Sequence, residues 1–246
     1  MTWVFSHRGR TESQPDIIDN TLQAFAAARD IGCHGVELDV QRTIDGALVV
    51  HHDPDVPGAG FIHQLDRAAL PSYLPLLAEA LAMCAGMTVN VEIKAVSDAS
   101  PGWLGTPGTA SEFNRGTAVS TAGILAALGW ADRAIVSSFD PLILEAVRST
   151  EPRLAVGLLL PWNRDAAEGL RTASRWGWDS VHPFVTQVSP AFLSDAHGAG
   201  LQVHVWTVNA RSDLEEMVEM GVDAIITDRP AEALRVTRHG PAASGN

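Results

Sequence analysis

Glu37 and Asp39 in VELDV, with His52 and Asp53 in VVHHD, gather carboxylates and an imidazole into one short stretch of chain. Both arms alternate apolar and polar residues around Asp45-Gly46, a strong two-residue turn signal, which predicts a hairpin. Its register sets Asp39 opposite His52. Because side chains repeat with period two along a strand, Glu37, Asp39 and His52 share one face while Val36, Leu38 and Val40 share the other. His51 falls on the face away from the acids. Carboxylates beside an imidazole can hold a cation and move a proton; a solvated hairpin face is the plain alternative.

Three other stretches carry reactive side chains. SHRGR follows the apolar pair Val4-Phe5 and puts His7, Arg8 and Gly9 where a strand gives way to a loop. In VNVEIK, Val89, Val91 and Ile93 share one face and Asn90, Glu92 and Lys94 the other. Burying Glu92 and Lys94 unpaired would be costly, so they need an ion, a charged ligand, or each other as a buried ion pair. VHVWTVN sets His204 and Trp206 opposite Val203 and Val205, and Trp206 fits either a core aromatic or a ligand platform at a barrel mouth.

Further landmarks follow a fixed order: HRG at His7 to Gly9, NTLQAF from Asn20, ELD at Glu37 to Asp39, HHD at His51 to Asp53 and EIK at Glu92 to Lys94. SSFDP at Ser137 to Pro141, WTVN at Trp206 to Asn209 and DAIITDRP at Asp223 to Pro230 complete the series. In that order they resemble the glycerophosphodiester phosphodiesterase family, from the first strand to the last. The resemblance implies a phospholipase-C-like TIM (β/α)8 barrel that hydrolyses glycerophosphodiesters to glycerol 3-phosphate and an alcohol. In that family the neighbouring glycerol hydroxyl attacks phosphorus, the alcohol leaves with a proton, and water then opens a cyclic phosphate.

The matching side chains are suited to this chemistry. Glu37, Asp39 and Glu92 are three hard oxygen donors, fit for one divalent cation, Mg²⁺ or Ca²⁺, and unfit for zinc. Arg8 can fork onto a phosphate, with Lys94 as a point charge beside it and Trp206 as a substrate contact. His7 and His52 come from different strands, so one can act as base and the other as acid. One position departs from the family pattern: relatives carry Glu before Asn-Thr, and this chain has Asp19. The shorter carboxylate is expected to lose direct contact with the metal or with Arg8, tuning activity rather than abolishing it. A lysophospholipase D or sphingomyelinase D-like enzyme is the nearer rival reading. A non-catalytic barrel that binds phosphorylated ligands is the more distant one, disfavoured by the presence of both histidines.

Strands and helices must alternate to bring these groups together. Strands are predicted near 3–6, 35–40, 88–93, 133–137, 154–160, 179–182, 202–207 and 223–227. Helices are predicted over 20–31, 73–85, 118–128, 140–149, 164–176, 190–199, 211–219 and 230–238. Asn20 with Gln23 resembles a capping box on the first helix. Eight such units imply a closed parallel barrel, with the 47–52 arm left over as a hairpin after the second strand and catalytic groups at the strands' C-terminal ends. His182, His204 and Phe139 could also line that mouth. Loop 53–72 is a shortened form of the family's insertion over the site, and 95–117, with Trp103 and Phe113, reads as either a lid or a surface loop.

The whole chain of 246 residues, 46% hydrophobic, fits one barrel domain over 1–238 with a disordered tail at 239–246. A formal net charge of -12 argues against nucleic acid or an anionic membrane as partner and for a small-molecule glycerophosphodiester drawn in by a local positive site. No run approaches the length of a membrane span, the first strand begins too early for a signal peptide, and Cys33 and Cys84 read as core filler. Those features point to the cytoplasm.

Overall fold

Alternation along each strand sorts the side chains into two environments, one facing helices and one facing a barrel interior. The computed structural model describes residues 1–96 and 111–239. In chain order the elements are β1 (Trp3–His7), α1 (Leu22–Asp30), β2 (Gly35–Arg42), β3 (Leu48–Val50), β4 (Asp55–Val56), β5 (Gly60–Phe61) and α2 (Leu77–Met83). Next come β6 (Thr88–Ile93), α3 (Ser111–Ala127), β7 (Ala134–Ser138), α4 (Pro141–Thr150), β8 (Ala155–Leu159) and α5 (Ala166–Trp176). The last are β9 (Ser180–His182), α6 (Pro190–Gly198), β10 (Gln202–Val205), α7 (Arg211–Met220), β11 (Ala224–Thr227) and α8 (Pro230–His239). The sheet runs β1-β11-β10-β9-β8-β7-β6-β2 and closes because β1 also pairs with β2. Every pairing around that ring is parallel, so this is a TIM barrel.

Val36, Leu38, Val40, Val89, Val91 and Ile93 share one large buried cluster with helix residues such as Phe25, Leu77 and Leu125. Fully burying each aliphatic side chain there contributes roughly 1.5–3 kcal/mol, which makes the outward strand faces the main source of cohesion. A small cluster of Phe5, Ala224 and Ile226 lies apart from it, packed against Ile135 and Trp206. The intervening strand positions are polar and buried: Glu37, Asp39, Asn90, Glu92, Ser137, Ser180, His182 and His204.

The hairpin is present, with a different register. β3 pairs antiparallel with β2, matching Val40 to Val50 and Gln41 to Val49, which sets His51 rather than His52 opposite Asp39. Its loop has three residues, Ile44-Asp45-Gly46, closed by the Thr43 N–H to the Ala47 carbonyl at 2.9 Å. Gly46 takes φ of 92°, as three-residue hairpins require. The Thr43 hydroxyl bonds the Asp45 carboxylate and accepts from the Ala47 N–H, so the turn rests also on Thr43, which the Asp-Gly signal does not include. The paired arm is also shorter than 47–52, ending at Val50.

Other boundaries move for identifiable reasons. Thr21, not Asn20, caps α1, accepting from the Ala24 N–H at 3.3 Å. α3 begins at Ser111, so Phe113 belongs to a helix; its ring lies 4.0 Å beneath the Arg42 guanidinium. Trp103 and the tail beyond His239 lie outside the described residues. Loop 53–72 folds on a satellite core of Val49, Val56, Ile62, Leu70 and Leu74. No helix among the described residues is long and apolar enough to cross a membrane.

His182 and His204 lie inside the barrel, their ring centroids 4.7 Å apart. Burial, with His204 nearby, holds His182 well below its usual pKa; burial holds His204 at about 4, against an opposing pull from Asp223. Below about 6.5 the unfolded chain therefore binds protons that the folded chain refuses. Stability should fall by about 1.4 kcal/mol per pH unit for each such group as pH drops from 6.5 toward 4. Urea unfolding across that range checks this, and His204→Phe should flatten the slope.

Candidate active site

Strand register brings the acidic residues together. β2 and β6 run in parallel with Asp39 opposite Glu92 and Glu37 opposite Asn90, so the inward carboxylates converge from neighbouring strands. One oxygen from each of Glu37, Asp39 and Glu92 lies within 4.8 Å of the others, and all three residues are buried. Lys94 Nζ sits 2.7 Å from Asp39 Oδ1 and also bonds Glu92. Arg8 Nε stands 3.3 Å from Asp39 Oδ2.

This charge balance shifts the acids in opposite directions. Burial resists ionisation of Asp39, yet Lys94 and Arg8 outweigh it and hold Asp39 below the usual carboxylate range. Burial followed by repulsion from Asp39 and Glu92 pushes Glu37 well above that range. Burial also raises Glu92, with Lys94 opposing. Glu37 Oε2 accepts the Arg8 backbone N–H at 3.2 Å, while buried Oε1 has no hydrogen-bond partner among the described residues. An orphaned carboxylate oxygen among hard oxygen donors fits a divalent Mg²⁺ or Ca²⁺ ion.

The loop after β1 is shaped to serve this cluster. Arg8 and Gly9 both take positive φ, 56° and 74°, and turn the chain so that the Arg8 N–H and guanidinium both reach the acids. A β-carbon on Gly9 would lie 2.8 Å from the Ala24 backbone. Asn20 also takes positive φ, 57°, and grips Asp39 twice: Nδ2 donates to Oδ2 at 2.7 Å, and Oδ1 accepts the Asp39 N–H at 3.3 Å. Asp19 turns away from Arg8 and accepts two bonds from Arg10, at 2.8 and 2.6 Å. The family position occupied by Asp19 thus anchors Arg10.

Two imidazoles flank the acids. His7 Nε2 lies 3.9 Å from Glu37 Oε2, and its Nδ1 lies 2.8 Å from Asp228. His52 Nδ1 lies 2.8 Å from Asp53. Burial holds His52 down to about 4; Asp39 pulls the other way, and Lys94 and Arg8 add to the lowering. A cleft of about 710 Å³ opens beside them, lined by Arg8, Arg10, His51, His52, Tyr73 and Asp228 among others. His51, expected to face away, lines this cleft because the chain leaves the sheet after Val50.

Trp206 is not among the described residues lining that cleft. Its Nε1 donates to the His182 carbonyl at 2.7 Å, and its ring meets Phe139 and Phe184 edge-on. His182 and His204 are buried inside the barrel and do not line the cleft. Asn20, Asp228 and Asn209 were not singled out as site residues from the sequence. Asn20 and Asp228 stand in the NTLQAF and ITDRP landmarks, and Asn209 ends WTVN, so position alone offered a signal.

The closed barrel carries acids and imidazoles at the C-terminal ends of its strands, as barrel enzymes do, and comparison with known proteins gives the class. The model of the glycerophosphoryl diester phosphodiesterase family matches residues 7–232. A glycerophosphodiester phosphodiesterase of Caldanaerobacter subterraneus subsp. tengcongensis is 30% identical over 259 residues, covering 97% of this chain and 99% of that protein. Among solved structures, a glycerophosphodiester phosphodiesterase from Parabacteroides distasonis superposes with a TM-score of 0.83 at 24% identity, covering 96% of this chain and 97% of the other. An Oleispira antarctica phosphodiesterase in complex with its product sn-glycerol-3-phosphate gives 0.80 at 22%, covering 97% of each chain. The chain belongs to the glycerophosphoryl diester phosphodiesterase family and is an enzyme of the phosphoric diester hydrolase class.

Asn20→Ala removes both bonds to Asp39 and leaves a β-carbon at positive φ. We expect a loss of about 1.5–3 kcal/mol in stability, the usual scale for hydrogen bonds to charged groups, and weaker divalent-cation binding. Thermal unfolding and calorimetric titration measure the two effects.

Proposed function

We propose that this enzyme hydrolyses glycerophosphodiesters to sn-glycerol 3-phosphate and an alcohol, using one divalent cation and the imidazoles of His7 and His52. The observation that carries the reading is the convergence of three buried carboxylates near those imidazoles, beside an open cleft. The product named for the Oleispira antarctica phosphodiesterase supports the substrate class. Glu37, Asp39 and Glu92 would hold Mg²⁺ or Ca²⁺, which when bound neutralises charge on the phosphoryl group.

The chain's own residues do the rest. Arg8, already lining the cleft, presents its guanidinium to the phosphate, and Lys94 adds a second positive charge from the barrel floor. The glycerol hydroxyl next to the ester attacks phosphorus, since covalent attachment already places it there. One imidazole takes the hydroxyl proton and the other supplies a proton to the departing alkoxide, as the P–O bond to the alcohol breaks. Water then opens the cyclic phosphate with the proton roles reversed.

A second reading has its own support. Pro15, Ile17, Ile18, Tyr73 and Leu74 form an apolar stretch of the cleft wall, and Ile18 and Tyr73 are exposed. That wall suits a lysophospholipid's chain, and choline release from lysophosphatidylcholine against glycerophosphocholine separates the two. Two buried thiols, Cys33 and Cys84, each pushed up to about 12 by burial, fit a protein of the reducing cytoplasm.

Exhaustive chelation should abolish glycerophosphocholine hydrolysis, with Mg²⁺ or Ca²⁺ restoring it. Full activity after chelation, or in Glu92→Ala, overturns the metal dependence. His7→Ala and His52→Ala should each lower turnover by about 10² to 10⁴-fold. With a p-nitrophenyl ester of glycerol phosphate, whose leaving group needs no proton, only the variant lacking the proton donor should recover. Hydrolysis of a deoxy analogue at the normal rate would make water the direct nucleophile and rule out the cyclic route.

A further inference from the structure

His7 is held in place by the closing of the barrel. β1 and β11 run in parallel with Ser6 opposite Thr227, so the next pair in register is His7 and Asp228. Barrel closure itself therefore sets the imidazole beside that carboxylate, with Nδ1 2.8 Å from Oδ1. Asp228 is in turn fixed. Asn209 Nδ2 donates to its Oδ2 at 2.7 Å, and Asn209 Oδ1 accepts the Asp228 N–H at 2.9 Å and the Thr227 hydroxyl at 3.2 Å. Arg10 stands 3.9 Å from the same carboxylate. His52 Nδ1 lies 2.8 Å from its sequence neighbour Asp53, whose carboxylate is 64% exposed.

We propose that Asp228 is a positioning residue for His7, and that Asn209 positions Asp228. A carboxylate accepts and cannot donate, so Nδ1 of His7 must carry the proton, and Nε2 is the nitrogen left for chemistry. That nitrogen faces Glu37, 3.9 Å away, on the side of the acidic cluster. The arrangement fixes both the tautomer and the ring's orientation. This inference rests on the phosphodiesterase reading for its catalytic consequence, though the tautomer itself does not depend on it.

The test has two arms. In Asp228→Asn the side chain can donate to Nδ1, which would move the His7 proton to Nε2. Nitrogen-15 NMR of imidazole-labelled protein should show His7 protonated at Nδ1 in the natural chain and at Nε2 in the variant. On glycerophosphocholine, kcat should fall by about 10² to 10⁴-fold with KM changed less than about threefold, while the melting temperature and the Ca²⁺ dissociation constant stay close to natural values. Should Asp228→Asn fail to fold, Asn209→Ala keeps the carboxylate but loosens it and should lower kcat by a smaller factor. An Nε2-protonated His7 in the natural chain, or undiminished kcat in Asp228→Asn or in Asn209→Ala, overturns the proposal. If the natural chain turned over no glycerophosphodiester, the functional reading would fail while the tautomer result still stood or fell by itself.

Discussion

Three carboxylates buried within 4.8 Å of one another impose the constraint that the surrounding structure answers. Like charges about 4 Å apart repel by about 4 kcal/mol at an effective dielectric near 20, whereas a neutral hydrogen bond offsets only about 1 kcal/mol. Positive charge, or a proton on one of the acids, is needed. Lys94 and Arg8 supply two positive charges, both directed at Asp39, which is the acid held low; Glu37, whose Oε1 lacks a partner, is pushed high. A third positive centre is what the cluster lacks, and that deficit is the physical case for a cation.

Much of the fold serves this cluster. The left-handed turn at Arg8-Gly9 exists so that one residue can offer Glu37 its N–H and Asp39 its guanidinium. Asn20 spends its capping capacity on Asp39, leaving Thr21 to cap α1. Apolar strand faces turned toward the helices carry the cohesion, which frees the inner faces to be polar at a site that would otherwise weaken the core.

Strand order, helix positions and the inward parity of Glu37, Asp39, Glu92 and Lys94 were legible because period-two alternation records which face is buried. The hairpin register was not, because a Thr43–Asp45–Ala47 bond network lengthened the turn by one residue and slid His51 into the place expected for His52. His52 reaches the cleft regardless, since the sheet ends before it. Asp228 was hidden for another reason: its meeting with His7 depends on the last strand closing against the first, a contact spanning 221 residues that local patterning does not encode. Trp206 followed its parity inward, and its indole donates to the His182 carbonyl.

The account turns on the acidic cluster being a cation site rather than a self-contained ion-pair network with Lys94. Calorimetric titration of metal-free protein with Ca²⁺ decides between these most directly, with Glu37→Gln as comparison, because that change removes the orphaned oxygen's charge and keeps Asp39 and Glu92, the two carboxylates that Lys94 pairs with. The account predicts one site per chain in the natural protein, abolished or weakened by at least about tenfold in the variant. No saturable binding, or binding unaltered by Glu37→Gln, would contradict it.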